Sequence, residues 1–180
     1  SNAVFPALNI NWSVNNVAVP GDVALGNITT SHYDGSEIYI LGKADDDIDE
    51  YDDHVVIHEW GHYFERQFSR ADNIGGEHSL SDIKDIRVAF GEGWGNAFSA
   101  IASNDPIYSD ATGVGQAGGF GFNVESTICS QPGWYSECSV QSILYDIYDG
   151  GIDDIDTLSL GFQPIYDVLT TDEKNTHALT

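Results

Sequence analysis

Two histidines four residues apart constrain this chain more than any other feature of its sequence. His58 and His62 belong to residues 58–62, His-Glu-Trp-Gly-His, inside a stretch from about Asp52 to Phe68 whose pattern predicts an α-helix. Residues four apart lie one turn apart on the same helix face, so both imidazoles can reach one metal ion at the ~2.0–2.1 Å that zinc requires. Glu59 then lies beside the ion without binding it. A carboxylate in that place can take a proton from a metal-activated water.

A third ligand is available on a second predicted helix, which runs from about Asp85 to Ser103. Glu92 follows His62 by thirty residues, within residues 90–96, Phe-Gly-Glu-Gly-Trp-Gly-Asn. Three glycines inside a helix cost roughly 1 kcal/mol each relative to alanine, which a surface helix has little reason to accept. Small residues let this helix approach the first one closely, as a glutamate ligand requires. The alternatives are a tight helix crossing with Glu92 exposed, and histidines that bind no metal.

Together the two motifs resemble those of the gluzincin metallopeptidases, in which HExxH on one helix is completed by a glutamate on the next. The likeness is strongest to fungalysin and thermolysin-like enzymes, because the glutamate helix of fungalysins carries a similar Gly-Glu-Gly-Trp string. It is specific over residues 54–99, weaker over residues 143–148, and leaves residues 1–35 and the C-terminal tail uncovered. The resemblance implies Zn²⁺ as cofactor and Glu59 as the general base that passes its proton to the leaving amine.

The resemblance also implies roles for residues outside the two motifs. Where the family has an acidic residue one turn after the glutamate ligand, this sequence has Asn96, whose amide oxygen can accept an imidazole N–H without a full negative charge. Slightly weaker zinc binding is expected from that difference. A donor to the developing oxyanion is usually a Tyr or His in these enzymes. Tyr135 is the first candidate here, followed by Tyr145, His78 and His177, and each could instead be structural or exposed.

A predicted strand over residues 37–41 has two interpretations. Its Glu-Ile-Tyr-Ile-Leu sequence is rich in β-branched and aromatic residues and is bracketed by Gly35 and Gly42. It resembles the edge strand against which gluzincins pair an extended substrate, so its backbone would set the register of a bound peptide. An ordinary core strand is an equally supported reading.

The remaining patterns predict short elements and one more long helix. Residues 4–30 suggest short strands and loops, and the glycine-rich residues 111–122 suggest a loop. Residues 137–149 carry apolar side chains at spacings of three and four, which is typical of an amphipathic helix. Pro164 is expected in the first turn of a last helix that ends near Thr170. The predicted fold is α+β and zincin-like: a small sheet packed on an active-site helix, followed by a mainly helical C-terminal part.

An acidic run precedes the first helix. Residues 45–50, Asp-Asp-Asp-Ile-Asp-Glu, could bind Ca²⁺ through carboxylate oxygens, although they lack the spacing and the glycine of an EF-hand. A solvated loop that also caps the helix is the favoured interpretation, with Asp52 or Asp53 available as the N-cap. His54 lies one turn before His58. We interpret it as a neighbour of the site or a surface residue, because three protein ligands leave the fourth zinc position for water.

Composition restricts the partners and the compartment. With 29 acidic and 6 basic side chains, the net charge of -23 repels phosphate backbones and anionic headgroups, so nucleic-acid and membrane-surface partners are not expected. The sequence contains no run of 18 apolar residues, so no membrane insertion is expected.

The 180 residues suit one domain, 1–180. Residues 1–3, Ser-Asn-Ala, resemble an expression scar, so we expect a fragment of a longer precursor. Cys129 and Cys138 suit either a disulfide or two free thiols.

These observations predict a secreted or cell-surface zinc endopeptidase that acts on polypeptide substrates. The sequence contains no methionine and therefore lacks the glycine-x-methionine-glutamate-asparagine signature of the gluzincin aminopeptidases. Two alternatives stay open: an aminopeptidase, and a non-catalytic, zinc-stabilised binding or adhesion module of a surface protein. Glu59 argues against the second, since a purely structural zinc site needs no base.

Overall fold

A computed structural model of the chain describes residues 4–126, 128–150 and 158–176. The predicted scar at residues 1–3 and the candidate donor His177 lie outside the described residues. In chain order the strands and α-helices are β1 (Ile10–Trp12), β2 (His32–Tyr33), β3 (Ile38–Ile40), α1 (Asp53–Phe68), α2 (Ile86–Ser103), β4 (Ile107–Thr112), β5 (Gly118–Asn123), α3 (Glu137–Tyr148) and α4 (Phe162–Asp167). The structure is α+β, and the bounds predicted for the first two helices are confirmed.

The first sheet has the order β1-β3-β2 and packs β2 beside α1. β1 runs parallel to β3, and β2 runs antiparallel to it, with Tyr33 opposite Ile38. Ile38 and Ile40 are almost completely buried, as expected for the middle strand of a sheet. The strand predicted at residues 37–41 is confirmed. Its interpretation as a substrate-pairing edge strand is wrong, because β3 is hydrogen-bonded on both sides and β1 and β2 form the two edges.

The second sheet is a hairpin of β4 and β5, in register from Ile107 opposite Asn123 to Thr112 opposite Gly118. The loop predicted at residues 111–122 is therefore wrong over most of its length. The glycines fit a strand here because the partner strand comes very close: a methyl group on Gly119 would lie 2.1 Å from the carbonyl oxygen of Asp110. Gly119 also has a φ of +114°, which favours glycine.

Helices α1 and α2 pack tightly against each other around aromatic side chains. Trp94 is completely buried, and its indole N–H donates to the carbonyl oxygen of Gly61 over 2.9 Å. Phe64 and Phe98 fill the space on either side of this contact. The indole therefore holds the middle of α1, where the histidines lie, against the middle of α2.

The three glycines of α2 contact three different neighbours. A methyl group on Gly95 would lie 2.6 Å from the ring of His58, so this glycine permits the predicted approach to α1. Gly93 instead faces α3, where a methyl group would lie 2.8 Å from the carbonyl oxygen of Glu137. Gly91 faces the side chain of Asn73. The close helix approach is confirmed, but only one of the three glycines serves it.

Helix α3 was predicted correctly in extent, and its apolar stripe is confirmed in part: Leu144 and Ile147 pack against the hydrophobic core, and Val140 lies against Gly93. Ile143, part of that stripe, is 58% exposed. The helix packs on α2, and its most buried side chains include two polar ones that the stripe did not mark, Glu137 and Gln141, beside Cys138 and Tyr145. Hydrophobic spacing could not show this, because α3 covers a part of α2 that itself carries polar side chains. A disulfide joins Cys129 to Cys138 and anchors the start of the helix.

The ends of the helices differ in one respect from the predictions. Asp85 caps α2 by accepting a hydrogen bond from the N–H of Arg87. Asp52 occupies the N-cap position of α1 but makes no capping bond, and instead accepts from the N–H of Ala111 over 2.9 Å. The predicted N-cap position is therefore confirmed, but its carboxylate links α1 to β4 instead of capping the helix. Pro164 lies in the first turn of α4, as predicted, and a π-helical turn extends the helix to Glu173.

None of the helices in the described part of the chain is long and apolar enough to span a membrane.

Replacing Gly93 with alanine tests the contact between α2 and α3. The new methyl group meets backbone of α3, which cannot rotate away, and overpacking of this kind costs about 1–3 kcal/mol. Alanine's better helix propensity returns ~1 kcal/mol. We expect a loss of up to about 2 kcal/mol in the free energy of unfolding, measured by urea denaturation. Gly91→Ala is the control, since only the Asn73 side chain must move there. Equal stabilities for the two variants would contradict this account.

Candidate metal centre

Three side-chain atoms from α1 and α2 converge in a buried cluster. Nε2 of His58 lies 3.0 Å from Nε2 of His62 and 3.3 Å from Oε2 of Glu92. The third side of the triangle, from His62 Nε2 to the same glutamate oxygen, is 3.5 Å. The structure thus brings together all three residues that the sequence proposed as ligands.

The size of this triangle fits one tetrahedral zinc ion. Three donors at ~2.0–2.1 Å from a tetrahedral ion lie roughly 3.3–3.4 Å apart. The three observed separations, 3.0, 3.3 and 3.5 Å, bracket that distance. Two neutral imidazoles and one carboxylate are also a donor set that catalytic zinc sites use, with the fourth position left for water or substrate. These three separations are therefore compatible with one bound Zn²⁺.

A chain of two amides orients His58. Its Nδ1 lies 2.9 Å from Oδ1 of Asn96, the acceptor that the sequence proposed for this place. Donation from Nδ1–H leaves the lone pair of Nε2 pointing into the cluster, as a metal ligand requires. The Nδ2 group of Asn96 in turn donates to Oε1 of the fully buried Gln141 over 2.9 Å, which fixes the orientation of the first amide. The only sequence signal for Gln141 is weak: it follows Glu137 by one helical turn.

Carboxylates and an amide support the other two members of the cluster. Oε2 of the buried Glu65 lies 4.0 Å from Nδ1 of His62. Oε1 of Glu92 accepts from the amide of Asn73 over 2.8 Å. Burial alone would raise the pKa of Glu92, but the contacts with His58 and His62 hold that pKa well below its ordinary value. The cluster is thus built to balance positive charge against this carboxylate.

Positive charge is also favoured on the second histidine. Burial acts to lower the pKa of His62, yet Glu65 and Glu92 raise the pKa well above its ordinary value. A proton or a metal ion can supply that charge, and a metal ion must displace the proton to bind.

Glu59 is held next to the cluster by the edge strand of the first sheet. Its Oε2 accepts from the backbone N–H of Tyr33 in β2 over 2.7 Å. A carboxylate oxygen of Glu59 lies within 4.8 Å of ligand nitrogens of His58 and His62. The side chain is almost completely buried but lines an open cleft of about 1270 Å³. Sequence patterns could not show the role of Tyr33, because a two-residue strand is too short to leave a periodic signal.

The structure places Tyr135, Tyr145 and His78, three candidate donors to the oxyanion, in three different environments. The hydroxyl of Tyr135 donates to the carbonyl oxygen of Pro132 over 3.3 Å, and its side chain does not line the cleft. Tyr145 packs in the hydrophobic core, where burial raises its pKa to about 12. His78 lies at the cluster: its Nδ1 is 2.8 Å from Oε2 of Glu137, and its Nε2 is 3.2 Å from Oε2 of Glu92. Tyr135, the first candidate, therefore does not line the cleft, whereas His78 lies at the cluster.

Two further side chains close the rear of the cluster. Nε2 of His54 lies 3.1 Å from the carbonyl oxygen of Asp105, which directs this histidine away from the ligand triangle. Tyr108 of β4 lies edge-on to His58, with ring centroids 6.3 Å apart, and stacks on Phe122 of β5 at 4.8 Å. The β4–β5 hairpin therefore forms an aromatic wall of the cleft, a feature that the predicted loop did not contain.

Fold and cluster together define a candidate metal centre between two α-helices, with a carboxylate beside it. By comparison with protein families, the chain belongs to the mycolysin C-terminal domain family, whose profile matches residues 7–170. This is a domain of thermolysin-type peptidases, so the relation to that class proposed from the two motifs is supported, while membership does not itself assign catalysis to the domain. Neither the curated proteins nor the solved structures contain a match.

Variants of Asn96 test the amide chain that orients His58. Asn96→Ala removes the acceptor for Nδ1–H, and loss of such a partner typically costs roughly 10–100-fold in metal affinity. Asn96→Asp keeps the acceptor and adds negative charge. Nε2 of Gln141, which has no partner among the described residues, can rotate to donate to the new carboxylate. We expect zinc affinity at or above that of the unmodified chain for the aspartate variant, measured by competition with a chromophoric chelator. Unchanged affinity in the alanine variant would contradict the assigned role.

Proposed function

We propose that this chain is a zinc-dependent endopeptidase that hydrolyses peptide bonds, with His58, His62 and Glu92 as metal ligands. The observation that carries the proposal is the triangle of donor atoms, 3.0 to 3.5 Å on a side, with the carboxylate of Glu59 alongside. A structural zinc site is normally closed by four protein ligands. Here three ligands face an open cleft, which is the arrangement that hydrolysis needs.

The bound ion would supply Lewis-acid polarisation of the scissile carbonyl and of the attacking water. The chain supplies the base. Glu59 takes the proton of that water and returns it to the leaving amine. Its carboxylate is held in one orientation by the N–H of Tyr33. Placement of this kind reduces the reorganisation needed when the proton moves.

His78 is the group best placed to donate to the negative charge that develops on the carbonyl oxygen. Its contact with Glu137 fixes the ring and favours the protonated form, since this carboxylate raises the pKa of His78 above its ordinary value. The opposite ring nitrogen, Nε2, lies 3.2 Å from Oε2 of Glu92, so it would exchange this contact for one with the developing oxyanion. In this proposal His78 takes the role for which Tyr135 was the first candidate.

Extracellular action fits the disulfide between Cys129 and Cys138, since such bonds persist in oxidising compartments. The net charge of -23 agrees with a soluble exported enzyme. Substrates are polypeptides that enter the cleft as extended chains. Cleavage of peptides blocked at their N-termini would separate an endopeptidase from an aminopeptidase.

The family name favours a second candidate function. A domain described as the C-terminal domain of mycolysin could be a zinc-stabilised binding module that accompanies a catalytic unit. The two functions differ in one residue, since only the enzyme needs Glu59. In a binding module, metal removal would lower the stability of the fold, and there would be no activity to lose.

The central prediction concerns Glu59→Gln and Glu92→Gln. The first removes the base and keeps the ligands, so we expect one zinc per chain, by elemental mass spectrometry, and at least 100-fold slower cleavage of a quenched, end-blocked peptide. The second removes a ligand, and both zinc and activity should be lost. Glu77→Gln, a similar change on the rim of the cleft, should leave both unchanged. Full cleavage activity in Glu59→Gln would contradict the mechanism. If the unmodified chain binds zinc but cleaves no peptide, the binding module is favoured.

A comparison of His78→Ala with Tyr135→Phe decides which residue donates to the oxyanion. We expect His78→Ala to lower kcat about 100-fold with little change in KM, because the lost bond forms mainly in the transition state. Tyr135→Phe should retain full activity, because its hydroxyl bonds to Pro132 outside the cleft. His78→Gln, which keeps a donor, should recover part of the rate. The reverse order of effects would restore the original candidate.

A further inference from the structure

The two carboxylate oxygens of Glu92 have different partners. Oε2 lies 3.3 Å from Nε2 of His58, 3.5 Å from Nε2 of His62 and 3.2 Å from Nε2 of His78. Oε1 instead accepts a hydrogen bond from the side-chain amide of Asn73 over 2.8 Å. One oxygen therefore faces the imidazoles, while the other is engaged by the loop that connects α1 to α2.

The amide of Asn73 is held in a single orientation. Its Oδ1 accepts from the backbone N–H of Gly75 over 2.8 Å, which closes a short turn in the loop. An amide whose oxygen is engaged in this way presents its NH₂ group on the other side, where only donation is possible. The donor to Glu92 is therefore fixed by the protein itself. Oε1 cannot turn towards an ion without breaking this hydrogen bond.

Gly91 provides the space that the side chain of Asn73 occupies. A methyl group on Gly91 would lie 2.7 Å from Nδ2 of Asn73 and 3.1 Å from its Cβ. Since Gly91 directly precedes Glu92, an alanine here would push the amide away from the carboxylate that it contacts. The glycine of α2 whose nearest neighbour lies in neither α1 nor α3 thus serves the hydrogen bond to Oε1.

The partner of Oε1 matters because a carboxylate can bind a metal ion through one oxygen or through both. A four-coordinate zinc ion with three protein ligands keeps one position for water or substrate. A second oxygen from Glu92 would add a ligand and crowd that position. The hydrogen bond from Asn73 holds Oε1 in place and draws on the electron density that a metal would need, so it favours binding through Oε2 alone.

We infer that Asn73 is a positioning residue that keeps Glu92 a one-oxygen ligand and thereby keeps the fourth position of the metal centre open. The inference rests on the proposed function, because it requires zinc to bind at His58, His62 and Glu92. In a simpler account, Asn73 only anchors the loop to α2. That account predicts an effect on stability and none on the number of ligands around the ion.

Cobalt substitution tests the inference without depending on activity. The visible bands of Co²⁺ are intense in a tetrahedral site and weaken as further ligands bind, so the absorbance per bound ion reports the coordination geometry. The unmodified chain, treated with chelator and loaded with one equivalent of Co²⁺, should give the intense four-coordinate spectrum. Asn73→Ala frees Oε1 of Glu92, and its absorbance per bound ion should fall. Its zinc affinity, measured by competition with a chromophoric chelator, should fall roughly 10–100-fold, the usual cost of losing such a partner.

Two further variants separate the hydrogen bond to the carboxylate from the shape of the loop. Asn73→Ser keeps a side-chain acceptor for the N–H of Gly75 but is too short to reach the carboxylate, so it should behave as Asn73→Ala does. Gly91→Ala leaves Asn73 in the chain and displaces its amide, so the same weakening of the cobalt bands is expected. Ser81→Ala, an exposed position of the same loop, is the control and should retain the spectrum of the unmodified chain.

The outcomes distinguish this inference from the proposed function. Cobalt bands of unchanged intensity in folded Asn73→Ser and Gly91→Ala would overturn the inference and leave the zinc ligands unaffected. Lower stability in urea with an unchanged spectrum would overturn it too, since a loop anchor predicts that result. If Asn73→Ala fails to fold by circular dichroism, Gly91→Ala decides, because its backbone contacts are unaltered. Failure of the unmodified chain to bind either Co²⁺ or Zn²⁺ would overturn the proposed function together with the inference.

Discussion

The contact between the ring of His58 and the backbone of Gly95 is the constraint on which the rest of the site depends. Any side chain at this position of α2 would occupy the space of the imidazole. With glycine there, Glu92 and Asn96, one on either side of it in sequence, reach the two nitrogens of the same ring. The buried Trp94 then locks the helices together through Gly61. A ligand triangle of the right size follows from how closely two backbones can approach.

The sequence predicted the parts of this site that lie on long periodic helices. Spacing placed His58 and His62 on one face, and the glycines around Glu92 indicated a close helix contact. The supporting residues lie on elements whose place is decided by tertiary contacts: Tyr33 on a two-residue strand and Gln141 on a face of α3 that the apolar spacing did not mark. The β4–β5 hairpin was missed because glycine-rich segments are poor strand formers until a partner strand is present.

Two acidic clusters in this chain differ in how far the protein itself balances their charge. At the helix pair, Glu92 is surrounded by imidazoles, so its charge is balanced within the protein and by any ion that binds there. Near the start of α1, Asp47, Asp49 and Asp110 lie close together, and each has one buried oxygen without a hydrogen-bond partner among the described residues. A chain with a net charge of -23 has few basic side chains to spare for this purpose. Binding cations is one way in which so acidic a fold can bury carboxylates.

The hydrogen bond from Tyr33 to Glu59 has a consequence for how a peptide can lie in the cleft. β2 is one of the two edge strands of its sheet, and an extended chain would ordinarily add to such an edge as a further strand. The N–H that such a chain would meet at Tyr33 is already engaged by the carboxylate. An incoming peptide must therefore align with its neighbours in the ladder, or displace Glu59 from its anchor. In the proposed enzyme, the sheet edge and the carboxylate of Glu59 would compete for one amide, and this competition would limit the registers in which a bound peptide could be cut.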